Sequence, residues 1–401
     1  MPAFELYEAR VPMARAFRHA AKARTASSSV LMAVREDGVT GWGEAAPRSY
    51  VTGESVGSVL TALARSDVLG PAAEALRLPF DEALRAVAAL DPPSGPDGSA
   101  GTARAAAACL ETALFDHLCR RDGVDGLDAL HRAGFGDVLA ARQAPARVST
   151  VLDLGRDPVA HLAGLPEQVR AAIPHLKLKA GPDPEPTAVL AARVRALLPA
   201  TATLSVDANC SWEADAVLRQ ADALRAAGID WLEEPLAPRR WRGLAALRER
   251  GLRIMLDESC TSESDLTACA AHGAADLVNL RISKCGGPLR LLALARRART
   301  AGLGVQIGVQ VGEVGPLWAT GRLVATALPD LVAVEAGRQD EWFPPDLTTP
   351  PYAVDRAASL APVLGGPGTG VRVTRALLDR CTAHPVQPFG GPAEQTSRRT
   401  V

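Results

Sequence analysis

From about Arg147 onward the sequence alternates in a way that leaves few folds open. Eight short apolar runs recur: Val148–Leu152, His175–Lys179, Thr203–Asp207, Ile229–Glu233, Arg253–Asp257, Asp276–Leu280, Gly304–Ile307 and Leu331–Glu335. Between them lie Ala/Leu/Arg-rich stretches with apolar residues at helical spacing, including Thr187–Leu198, Glu213–Ala227, Glu263–His272, Pro288–Ala301 and Pro316–Ala327. Strand-sized runs alternating with helices imply a parallel sheet, because each return to the same edge needs a crossover. Eight such units fit a closed (β/α)8 TIM barrel over residues 147–338 better than an open sheet. No helical pattern follows the eighth run, which favours a (β/α)7β variant.

The first third reads differently. Val30–Arg35 and Val39–Gly43 flank Glu36-Asp37-Gly38, a hairpin signal, and residues 1–50 read as strands. Helical patterns follow at Ser55–Ala64, Pro79–Leu90 and Ala103–Arg121, so residues 1–130 form an α+β module. After the barrel, 339–380 is Pro-rich with one strand-like piece at Gly370–Thr374, and 383–401 reads as a disordered tail. A net charge of −1 offers no basic field for nucleic acid. No apolar stretch suits a membrane span, and the N-terminus does not read as a signal peptide. Seven Cys without a CxxC pair favour a reduced, cytoplasmic protein.

The polar residues that end the runs carry the chemistry. They are Lys177 and Lys179, Asp207, Glu233, Asp257 and Lys284, with gaps from Lys179 of 28, 26, 24 and 27 residues. Each gap is about one βα unit, so all face the C-terminal mouth of the barrel, where such folds place their sites. The lysines stand out further because the chain has forty arginines and only four lysines. Arginine stays charged, whereas lysine can be tuned to give and take a proton. Three converging carboxylates need a cation between them, and an all-oxygen set suits Mg²⁺, with Mn²⁺ next. Lys179 and Lys284, from runs two and six, then face opposite sides of a flat intermediate, an arrangement suited to removing a proton α to a carboxylate. Cationic neighbours should lower a lysine pKa, and Lys177, on the same face as Lys179, can polarise the substrate carboxylate. Taken singly, a carboxylate at a strand end is more often a helix N-cap or loop ligand than a metal ligand, Glu234 and Glu258 read as solvated or Arg-paired, and Asn209, Ser259 and Ser283 read equally as turn or cap residues. His161, His175 and His272 read as structural or exposed. The joint order of three acids and three lysines is what stands against those readings.

With these residues in view, the chain resembles the enolase superfamily, and within it the muconate lactonising enzyme subgroup. The resemblance rests on LKLKAG, VDAN, LEEP, LDES and SKCGG and covers roughly residues 4 to 375. It implies a capping domain completed by the segment after the barrel. It also implies metal ligation by Asp207, Glu233 and Asp257, and acid–base work by Lys179 and Lys284. Gly41–Ser55 resembles the flexible loop that dipeptide epimerases place over the site, and Arg24, in FRHAAKART, resembles a position where those enzymes bind a substrate carboxylate; the expected substrate-binding residues are Arg24, Tyr50, Thr52, Asn209, Arg281 and Glu335. Two departures stand out: Arg281 occupies a position where the family often has Lys, and strand eight ends VEAGRQD where dipeptide epimerases carry Asp-x-Asp for the substrate ammonium. The resemblance implies a Mg²⁺-dependent racemase or epimerase of a dipeptide or N-acyl amino acid. Alternatives are a cycloisomerase, a syn-dehydratase of the o-succinylbenzoate synthase kind, or a binding protein without catalysis. The expected partners are a small-molecule carboxylate and, as the family tends to form symmetric assemblies, a second copy of the chain; nucleic acid and membrane are not expected.

Overall fold

Asp37 and Gly38 both adopt positive φ, 49° and 78°, in the two-residue turn that joins Ser29–Glu36 to Val39–Ala45. Such a turn matches the right-handed twist of the strands it joins, which is why Asp-Gly marks a hairpin. In the computed structural model, which describes residues 1–19 and 22–386, this hairpin is half of a four-stranded antiparallel sheet. Its order is Cys381–His384, Ala3–Ala9, Ser29–Glu36, Val39–Ala45. The chain's far end thus supplies an edge strand, with Leu6 opposite His384. The disordered tail expected from 383 therefore begins too early: Ala383 and His384 have ladder partners, and residues 387–401 lie outside the described residues.

Both faces of Ser29–Glu36 are covered. Val30, Met32 and Val34 turn one way, into a core shared with the helix Arg104–Asp122, while Leu31 and Ala33 turn the other way onto Val11, Phe17, Trp342 and Phe343. The helix approaches the hairpin closely enough that a Cβ on Gly43 would lie against the Cys109 carbonyl, so glycine is needed there. The expected loop Gly41–Ser55 is corrected at this point. Its first residues, through Ala45, are buried strand, and the short helix Ser49–Thr52 follows.

The eight runs become one parallel sheet, in sequence order from Thr150–Leu152 to Ala333–Val334. Ser149 N–H donates to the Val334 carbonyl at 2.8 Å, bringing the first and last strands together. Seven strands are followed by helices of the barrel wall; after the eighth the chain makes only the single turn Gln339–Trp342. Strand periodicity sorts each run. Leu176, Leu178, Leu204, Val206, Leu232, Ile254, Leu256, Val278 and Leu280 join the main core between sheet and helices. The alternate residues point inward, where Trp231, Met255, Leu277 and Ala333 make an apolar floor. His175 stacks on Trp231 with ring centroids 4.7 Å apart and hydrogen-bonds with the hydroxyls of Ser149 and Ser205. Burial and nearby Lys177 press its pKa down to about 3, so it is a neutral structural residue, as expected. No described helix is long and apolar enough to cross a membrane.

Candidate active site

Above that floor the inward positions of strands two to five are polar, while strand one contributes Val151 beside Lys177. Lys179 pairs in register with Asp207, and Asp207 with Glu233, so three ionisable side chains from strands two, three and four stand side by side. Asp257 follows directly on strand five, Ile254–Leu256. Lys177 Nζ donates to Glu233 Oε1 at 2.7 Å and to Glu335 Oε1 at 2.6 Å, and lies 3.0 Å from Asp207 Oδ2. Lys179 Nζ donates to Asp207 Oδ2 at 2.5 Å and to Asn209 Oδ1 at 3.0 Å. Asn279 Nδ2 supports Glu233 from strand six at 2.9 Å.

Lys284 is not on strand six. That strand ends at Leu280, Arg281 is extended, and Ile282–Cys285 is a single helical turn closed by Gly286 at φ 94°. The turn carries Lys284 Nζ onto the carbonyls of Asp257 and Asn279, 2.6 Å each, and onto Asp257 Oδ1 at 2.9 Å. Arg281 donates to Asp257 and, at 2.7 Å, to Gln310 Oε1, and its guanidinium lies 3.9 Å from Glu233.

Four buried carboxylates (Asp207, Glu233, Asp257, Glu335) thus face four buried cations (Lys177, Lys179, Lys284, Arg281). Charges at such depth persist only when paired. Burial opposes ionisation of Asp207, yet Lys177 and Lys179 hold it well below the ordinary carboxylate range. Glu335 is likewise held down to about 2, by Lys177 and Arg281 against its own burial. Lys177 departs from expectation: although burial opposes its charge, Asp207, Glu233 and Glu335 raise its pKa. Lys284 shifts downward, through burial and the nearby Arg281.

The expected convergence of three acids takes another form here. Among the described residues no three Asp, Glu, His or Cys side chains gather closely enough to hold a metal ion, because the amines and Arg281 take their oxygens. The donor set still suits a hard divalent cation, being three buried carboxylates from consecutive strands. Glu258 Oε2 adds a buried oxygen without a hydrogen-bond partner among the described residues. Glu234 and Glu258 are neither solvated nor Arg-paired. Glu234 accepts from the backbone N–H of Asp257 and Ser259, at 2.7 and 3.0 Å, and so fixes the end of strand five. Burial pushes both acids up, and the neighbouring carboxylates push Glu258 further. Ser283 accepts from Ala46 N–H, which ties the capping module to the barrel.

A cavity of about 220 Å³ opens onto the cluster. Lys177, Lys179, Asn209, Arg281, Glu335 and Tyr50 reach its wall. Arg24, Thr52 and Lys284 do not: Arg24 pairs on the backbone with Phe17 in the outer hairpin, Thr52 ends its helix, and Lys284 lies fully buried. The roof comes from Phe17 and Trp342, and the outer wall carries Arg156, His161, Arg338, Glu341 and Arg356, of which only Arg338 lies in a strand-end motif. His161, read from the sequence as structural or exposed, belongs to this wall. The one sequence signal for that wall was VEAGRQD, where an arginine follows Glu335 so closely.

Comparisons with known proteins bear on the family and the fold. Residues 162–377 match the enolase C-terminal domain-like model, and 4–128 the mandelate racemase / muconate lactonizing enzyme N-terminal domain. The chain belongs to the mandelate racemase / muconate lactonizing enzyme family. Within that family it is 31% identical to the aromatic dipeptide epimerase of Herpetosiphon aurantiacus over 317 residues, 76% of this chain and 80% of that protein. It is 33% identical to the L-Ala-D/L-amino acid epimerase of Maribacter sp. over 136 residues, 34% of this chain and 39% of that protein. A Cytophaga hutchinsonii dipeptide epimerase complexed with Mg and D-Ala-L-Val shares its fold, with TM-score 0.79, 18% identity and coverage of 96% and 99%. An N-succinyl Arg/Lys racemase from Bacillus cereus does too, at 0.78, 21%, 95% and 98%. The chain is an isomerase of this family.

Proposed function

We propose that this family member is a racemase or epimerase that moves the proton α to a carboxylate on a dipeptide or N-acyl amino acid. The observation that carries the reading is Lys179: its amine reaches the cavity wall beside Asp207 and Asn209, with Lys177 one pleat deeper on the same strand. Lys177, kept charged by three carboxylates, acts as a fixed cation that draws in the substrate carboxylate. Lys179 Nζ takes or returns the α-proton on one face of the substrate. Lys284, with its pKa lowered by burial, serves the other face once Arg281 releases Asp257 and lets substrate approach. The roof of Phe17 and Trp342 keeps water away while the proton is held. Asp207, Glu233 and Asp257 would hold a Mg²⁺ or Mn²⁺ ion. Such an ion, when bound, supplies positive charge that stabilises negative charge developing on the substrate carboxylate.

The test is α-proton exchange in D₂O across a panel of dipeptides and N-acyl amino acids. Washout of the proton with mass and connectivity otherwise unchanged supports epimerisation, whereas a rearranged or dehydrated product points to cycloisomerisation or elimination. Exchange that survives both Lys179→Ala and Lys284→Ala sinks the assignment. Chelation with EDTA is expected to stop exchange, and added Mg²⁺ to restore it.

A further inference from the structure

The cavity wall carries far more positive than negative charge. Its lining cations are Lys177, Lys179 and Arg281 on the inner side and Arg156, Arg338 and Arg356 on the outer; its lining carboxylates are Glu335 and Glu341. Neither acid is uncommitted. Glu335 accepts from Lys177 Nζ and, at 3.2 Å, from Val309 N–H. Glu341 Oε2 alone receives Arg15 at 3.0 Å, Arg156 at 2.9 Å and Arg338 at 2.6 Å. One carboxylate therefore serves three guanidinium groups. Arg356 is paired with Asp340 at 2.5 Å.

Two of the lining arginines hold a buried nitrogen without a partner among the described residues, Arg281 at Nε and Arg338 at Nη1, and of the two only Arg338 belongs to the outer wall. Arg338 is 6% exposed, and its Nη1 is buried with no hydrogen-bond partner among the described residues; the nearest acid, Asp153, stands 3.9 Å away. A buried charged donor left open is expensive unless something fills it. Gly337 just before it has φ 81°, and a Cβ there would collide with Gln339 Oε1, so the backbone that presents Arg338 is set by glycine. The same cavity is also lined by apolar side chains, among them Leu152, Val309 and Leu165.

We infer that the outer wall is a second anion subsite, in which Arg338, supported by Arg156, binds a carboxylate remote from the reacting centre. The preferred substrate is then a dianion with an apolar span, and a free ammonium group is disfavoured because no lining acid is free to accept it. This rests on the epimerase reading and narrows it. The second carboxylate has two possible sources, a dicarboxylic acyl arm or an acidic second residue.

The experiment compares N-succinyl-L-leucine with N-acetyl-L-leucine for the acyl source, and L-Ala-L-Glu with L-Ala-L-Leu for the residue source. Both kcat/KM for exchange and Kd by calorimetry are measured. In at least one pair the dianion is expected to be favoured by about ten- to a hundred-fold, the range of a charge-assisted hydrogen bond. Arg338→Met should bring that ratio towards one, mainly through KM, and Arg338→Lys should restore part of it. Arg156→Met should lower the ratio less, and it stands in if Arg338→Met fails to fold. Equal ratios near one in both pairs, or a variant that weakens both members of a pair alike, would overturn the subsite. The Kd arm reads the subsite even if no substrate exchanges, so its failure is distinct from failure of the epimerase reading.

Discussion

At the scale of single residues, three rare lysines do three different things. Lys177 is the keystone of the buried charges, since its one amine answers Asp207, Glu233 and Glu335. Lys177→Met would leave those carboxylates uncompensated, and a denaturant melt is expected to show a loss of about 3–5 kcal/mol. Lys179→Ala should slow exchange by about 10²- to 10⁴-fold while the fold persists, because its charge is closer to the cavity and shared with Asn209. Lys284→Arg keeps the charge but not the ability to shed a proton, so exchange should fall comparably, with the circular dichroism spectrum unchanged. A fourth residue sets a pH dependence. Burial and the Glu44 carboxylate push Glu313 up to about 8, against an ordinary 4.5. The folded protein therefore keeps this proton where the unfolded chain has lost it. The stability linked to that proton is complete below about pH 4.5 and drains away as pH rises towards 8. Glu313→Gln can still accept from Gln310 N–H, and its melting temperature should fall less than that of the parent between about pH 5 and pH 8.

At the scale of elements, the capping module is held to the barrel by carboxylates that cap helices far away in sequence. Glu44, in the hairpin, accepts N–H groups from Val314, Gly315 and Leu317 at 2.8, 3.0 and 3.2 Å, at the start of Pro316–Ala327. Glu111, on the helix Arg104–Asp122, does the same for Leu289 at 2.7 Å, at the start of Pro288–Thr300. Both barrel helices open with Gly-Pro, which brings no side-chain cap of its own, so their first N–H groups depend on these distant acids. Glu44→Ala strips the acceptor from three buried donors. It is expected to lower stability by about 2 kcal/mol or more by thermal or chemical melt, whereas Glu44→Gln should lose less. The sequence made both helices legible and left their caps hidden, because a cap usually sits beside the helix it serves and these lie 178 and 270 residues away.

At the scale of the whole molecule, the chain's two ends meet: Cys381–His384 pairs with Ala3–Ala9, and Trp342 and Phe343 pack under the same sheet as Phe17. The roof of the cavity thus comes from both ends, while the barrel supplies its floor. Removing residues from 381 onward should strip the edge strand, loosen the roof and raise KM more than it lowers kcat; an unchanged KM would show that the strand matters only to folding. The sequence by itself determined the barrel, its lysines and its acids, because period-2 alternation fixes which residues point inward and unit spacing fixes which reach one mouth. Tertiary structure alone decided the rest. It turned Lys284 out of strand six, set Arg281 against Asp257, left Arg24 and Thr52 off the cavity wall, and gathered Arg156, Arg338 and Glu341 onto it. Those outcomes depend on contacts between loops that follow different strands. No local period encodes such contacts; they follow from where the closed barrel and its cap bring the loops together.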